Sequence, residues 1–124
     1  MKNKNKDKII YGNIKTVACK QLGELETRVI EAAKPFDITL LHEKLPPNGS
    51  APYVVHSKTI ELIHITKGTA VGILNGKQIN LCEGDYLYIP AGVEHRFETK
   101  NTGVEAISIF SPPMDSNKPD AKIV

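Results

Sequence analysis

Gly84-Asp-Tyr-Leu-Tyr-Ile-Pro90-Ala-Gly92-Val-Glu-His95-Arg-Phe-Glu-Thr99 is the stretch that decides the fold. A Gly-Asp turn launches a short strand, Asp85 to Ile89. Pro90 ends the ladder because it has no N–H to donate, and Gly92 supplies a tight turn. The next strand then opens on His95. Alternation puts Tyr86 and Tyr88 on one face of the first strand, opposite Leu87 and Ile89. That tyrosine face is either a cavity wall with phenol donors or a dimer surface.

The same punctuation continues in both directions. β-Branched or aromatic segments are separated by Gly, Pro or Asn-Gly about every ten residues, the pattern of a sandwich or barrel. Expected strands are Asn13 to Ala18, Thr27 to Ala33, Asp37 to Lys44, Pro52 to His56, Ile60 to Lys67, Thr69 to Leu74, Lys77 to Leu81, Asp85 to Ile89, Arg96 to Thr99 and Glu105 to Phe110. Asn75-Gly76 between two apolar runs marks a hairpin, because both residues tolerate the positive φ of a type I′ turn. Helical periodicity is weak and confined to Gln21 to Ala33, so the fold class is all-β.

A chain of 124 residues makes one domain, able to bury about two thirds of its unfolded surface without staples. Its 40% hydrophobic and 24% charged content excludes a disordered chain and a coiled coil. The longest run of apolar residues and glycine, Ala70 to Leu74, is far short of the ~20 residues of a membrane-spanning helix. Lys2, Lys4, Lys6 and Lys8 against Asp7 place +3 in the first eight residues, so the net charge of +2 leaves the rest at −1. With only Arg28 and Arg96 as arginines, the body offers no basic patch, and neither nucleic acid nor membrane is an expected partner. No apolar h-region follows the lysines, so no secretory signal is visible, and Cys19 and Cys82 are read as free thiols of a cytoplasmic protein. The expected organisation is a Lys-rich tail (1–8), one folded domain (9–112) and a C-terminal extension rich in turn formers (113–124).

The spacing from Gly84 to His95 resembles the second conserved motif of the cupin superfamily, G-x5-P-x-G-x2-H-x3-N, except that Thr99 stands in place of Asn. The first cupin motif, G-x5-H-x-H followed by three or four residues, E, x6 and G, is matched in its second half by Glu61-x6-Gly68. With four residues before Glu61, His56 is the second motif His and Val54 occupies the first His position. Taking His56 as the first His instead would put Lys58 at the second and leave only two residues before Glu61. The first alignment keeps the family spacing, and in it Gly49 is one residue out of register with the motif glycine, with four residues between it and Val54 rather than five. The resemblance spans residues 49–99 by motif and about 38–112 by strand order.

What the resemblance implies is a double-stranded β-helix, or jelly-roll barrel, with a divalent metal bound inside it. Carried over residue by residue, His56, Glu61 and His95 are the metal ligands, and Val54 cannot be one. Two His and one carboxylate still suffice for Fe, Mn, Ni or Zn with positions left open for substrate, and do not select among them. His42 either restores the missing ligand or faces a pocket wall or solvent, since it alternates with Ile38 and Leu40. Lys58 either presents an ammonium to an anionic substrate or is a solvated loop residue. His64 points to the face opposite Glu61, and Arg96 points away from His95.

The functional expectation is a small metalloenzyme acting on a small polar metabolite, of dioxygenase, isomerase or lyase type, with Glu61 as its catalytic carboxylate. The alternative is a cupin that binds a small molecule, with weak or no metal, and turns nothing over. The resemblance also implies a homodimer through the strands that precede residue 40.

Overall fold

The computed structural model describes residues 8–115 and 120–124. Its organising element is β5 (Ile60–Leu74), one strand where the sequence suggested two. Gly68 makes this continuity possible. It sits at φ +80°, a conformation glycine adopts without strain, and any Cβ there would collide with the Gly103 carbonyl oxygen. A bulge between Ile65 and Lys67 adds to the bend. The first half of β5 therefore pairs with β7 (Tyr86–Ile89) and β9 (Val104–Ser111), and the second half with β6 (Lys77–Cys82) and β8 (His95–Glu98).

Two antiparallel sheets result. One runs β1 (Lys20–Leu22), β2 (Leu25–Val29), β3 (Thr39–Leu45), β9, β5 and β7. The other holds β6, the far half of β5, β8, β4 (Val54–His56) and β10 (Ala121–Ile123). The architecture is the expected all-β jelly roll. Alternation supplies its core: Leu45, Ile63, Ile65, Ala70, Leu81, Val104 and Ala106 form one buried cluster, with Leu25, Leu87 and Phe97 packed against it. The Asn75-Gly76 hairpin joins β5 to β6 with φ of +48° and +78°, as a type I′ turn requires.

Two strand expectations are corrected by the structure. Residues expected as a strand from Asn13 to Ala18 form a short 3-10 turn, Ile14–Thr16, because the Asn13 side chain accepts from the Lys15 N–H and caps it. The expected strand from Thr27 to Ala33 stops at Val29, and a second 3-10 segment, Glu31–Phe36, follows and ends at Asp37 in the left-handed region. Past residue 112, β10 pairs with β4, with Ala121 opposite His56. Of the lysine-rich tail, residues 1–7 lie outside the described residues, as do residues 116–119.

Candidate metal centre

His56, Glu61 and His95 meet inside the barrel, and one potential ligand atom from each lies within 4.8 Å of the others. All three side chains are buried. Each arrives by a different route. His56 ends β4, Glu61 is the second residue of β5, and His95 opens β8. The Pro90–Gly92 turn does more than stop a strand: the Gly92 N–H donates to the His56 carbonyl at 2.8 Å, tying the loop before His95 to the end of β4. Val54 pairs directly with His95 and lines the same cavity, so an isopropyl group occupies the place where the motif has a first His.

The imidazoles are held from behind. His95 Nδ1 donates to the Val93 carbonyl at 2.9 Å, which leaves Nε2 facing Glu61 Oε1 at 3.3 Å. With Nδ1 protonated, a neutral ring would set its Nε2 lone pair against a carboxylate oxygen. That arrangement calls for a positive charge between them, a proton or a metal ion. Burial disfavours the charged His95 ring, yet the hydrogen bond and charge of Glu61, together with the Val93 carbonyl, outweigh it and raise its pKa. His56 stacks on His95 with ring centroids 5.9 Å apart, and its Nδ1 bonds Asp120 Oδ1 at 3.2 Å. The donor set, two imidazoles and a carboxylate converging in a buried pocket, fits a divalent transition metal.

Around the cluster is a cavity of about 160 Å³. Its walls are mainly apolar, with Leu41, Leu45, Ile63, Phe97 and Phe110 among them. Glu43 breaks that pattern. It lies on the inward row of β3 between Leu41 and Leu45, lines the cavity, and accepts from the Ser108 hydroxyl. Burial above all, then the charge of Glu61, pushes its carboxyl up to about 8, against smaller opposing contributions from Ser108 and His95. The sequence reading missed Glu43, although a carboxylate in step with Leu41 and Leu45 was the available signal.

The remaining expected site residues lie elsewhere. His42 does share a face with Ile38 and Leu40, but that face is the outer one, where its Nε2 is 3.4 Å from Glu105 Oε1, so it does not restore the missing ligand. Lys58 is exposed, and its backbone N–H donates to Asp120 Oδ2 at 2.8 Å. Tyr86 and Tyr88 are 76% and 55% exposed, which removes them from the cavity wall and leaves them on an outer sheet surface. His64 is exposed as expected. Arg96 lies over the Tyr53 ring at 4.9 Å and reaches Glu98 at 3.1 Å. Thr99, in place of the motif Asn, is buried, takes the Gly49 N–H at 2.8 Å and donates to the Pro46 carbonyl, pinning the loop before β4. Both cysteines are free and exposed.

A cupin domain model matches residues 41–111, more than half of the chain. The chain belongs to the cupin family. Among solved structures, this cupin is similar to a predicted oxalate decarboxylase from Thermotoga maritima, with 20% identity, a TM-score of 0.71, and coverage of 82% of this chain and 97% of that one. It is similar to the polyketide cyclase RemF from Streptomyces resistomycificus, with 20% identity, a TM-score of 0.77, and coverage of 94% and 86%. It is also similar to the Streptomyces nucleoside dehydratase Pac13, with 13% identity, a TM-score of 0.77, and coverage of 94% and 92%. At these identities the likeness establishes the cupin fold. No curated protein matches the chain by sequence.

Proposed function

We propose that this cupin is a metalloenzyme that holds a divalent transition metal through His56, Glu61 and His95 and acts on a small metabolite in the barrel cavity. The observation that carries the reading is the facing pair His95 Nε2 and Glu61 Oε1, buried together and closed by His56. Bound there, the metal supplies a Lewis acid that polarises a carbonyl or activates water or O₂. Three protein ligands leave coordination positions free for a substrate oxygen. The apolar walls exclude water and accept the carbon skeleton of the ligand, while Glu43 offers a carboxyl that keeps its proton at neutral pH. The substrate class this favours is a compact molecule with an oxygen function at one end and an apolar body, less polar than the sequence alone suggested. Similar structures named as a cyclase, a dehydratase and a predicted decarboxylase support chemistry of the lyase or isomerase kind over simple storage.

Val54 favours a second reading, in which the cavity binds a ligand without turnover, because one motif ligand is gone. Glu61→Ala separates the two. In the enzyme it abolishes turnover; in a binding module it changes only ligand affinity. Full turnover by Glu61→Ala would sink the metalloenzyme reading. A homodimer is part of the proposal. The outer face of the first sheet carries Tyr88, Leu62, Ile109 and Leu40 side by side across four strands, with Leu62 40% exposed, and a second copy would cover it.

A further inference from the structure

Asp120 lies 64 residues from His56 in sequence, just before β10, and four hydrogen bonds converge on its carboxylate. Oδ2 accepts from the backbone N–H groups of Lys58 and Thr59 at 2.8 and 2.7 Å. Oδ1 accepts from the Thr59 hydroxyl at 2.9 Å and faces His56 Nδ1 at 3.2 Å. Three of the four donors are fixed as donors by their chemistry or by the demand of an ionised acceptor, so the carboxylate orientation is settled before the imidazole is considered. A carboxylate oxygen offers only lone pairs, and His56 can answer it only with Nδ1–H.

We propose that Asp120 is a positioning residue that selects the Nδ1–H tautomer of His56, leaving the Nε2 lone pair as the nitrogen available to a metal. The inference rests on the metal-site reading above and deepens it. The C-terminal strand is thereby part of the site, because its pairing with β4 places Asp120 against the back of His56. Carboxylates behind a ligating imidazole fix both its tautomer and its ring orientation, and losing them typically weakens metal binding 10–100-fold.

Asp120→Asn tests the proposal with an isosteric change. Two backbone N–H groups must still find an acceptor, so the amide turns its Oδ1 toward Lys58 and Thr59 and presents its NH₂ to His56. Nδ1 must then accept, which moves the ring proton to Nε2 and blocks the ligand atom. Thr59→Val is the control, because it removes one bond to Asp120 but leaves the carboxylate on His56. The first readout is the ¹⁵N chemical shifts of the His56 ring in metal-free protein, which report the tautomer. The second is the Ni(II) dissociation constant by competition with a chromophoric chelator. We expect Nδ1–H in the wild type and in Thr59→Val, and Nε2–H in Asp120→Asn. Ni(II) binding should weaken 10–100-fold in Asp120→Asn and less than about threefold in Thr59→Val. An Nε2–H ring in the wild type, or an unchanged tautomer in folded Asp120→Asn, overturns the proposal. Equal weakening of both variants overturns it too, since the turn rather than the ring bond would then matter. Failure of the wild type to bind any metal would refute the metal-site reading instead, and the tautomer would still decide the role of Asp120.

Discussion

Replacing Glu43 by Gln should stabilise the metal-free protein in alkaline solution and do nothing comparable in acid. The folded barrel holds the Glu43 carboxyl at a pKa of about 8, against 4.5 for an unperturbed glutamate. Burial is the main cause and the negative charge of Glu61 the next. Between those two values the unfolded chain has lost the proton and the folded chain still carries it, so the folded state binds more protons and stability falls as pH rises. The contribution is intact below pH 4.5 and is lost by pH 8 and above. A gap of about 3.5 units at about 1.4 kcal/mol each sets a ceiling of roughly 5 kcal/mol, and relaxation and water entry bring the realised figure nearer 2–3 kcal/mol. Glutamine keeps the shape and a hydrogen bond to Ser108 but has no charge to bury. Urea unfolding of both chains at pH 4.5, 6.5 and 8.5 should therefore show a stability difference that moves in favour of Glu43→Gln by about 2–3 kcal/mol across the range. Parallel pH curves for the two chains would refute the claim that Glu43 is buried as a carboxylic acid beside the cluster.

Gly68→Ala should cost roughly 2–4 kcal/mol, because it combines a left-handed backbone with a Cβ driven into the Gly103 carbonyl at the bend of β5; a loss under about 0.5 kcal/mol in urea unfolding would contradict the account of that bend. Leu62→Glu places a charge in the outer row shared with Tyr88 and Ile109 and should convert a dimer to a monomer in light scattering at micromolar concentration, whereas a monomeric wild type would remove the dimer from the proposal.

How much of this was legible in the sequence depended on whether the signal was local. Asn75-Gly76 and the Pro90–Gly92 turn declare themselves through backbone chemistry, and both are where the sequence puts them. His56, Glu61 and His95 came from the resemblance to the cupin motifs, and the structure brings these three side chains together in one buried cluster. Period-two alternation relates residues on one strand but does not say which face is the inside. His42 was therefore weighed as a ligand while Glu43, its neighbour, is the residue that faces the cavity. Asp120 had no local signal at all. Its role comes from β10 folding back along β4, a long-range pairing in a segment dominated by turn formers. The two strands expected on either side of Gly68 are one for a similar reason: a glycine reads as a break, and only the close approach of Gly103 makes it a bend.

The central claim is that His56, Glu61 and His95 form a metal site, and metal content tests it most directly. Purified untagged protein, incubated with Fe(II), Mn(II), Ni(II) or Zn(II) and desalted, would be measured by inductively coupled plasma mass spectrometry beside His95→Ala and Glu61→Ala. The account predicts close to one ion per wild-type chain for at least one of these metals, lost in both variants. Wild-type protein that retains none of the four, or variants that retain as much as the wild type, would contradict it.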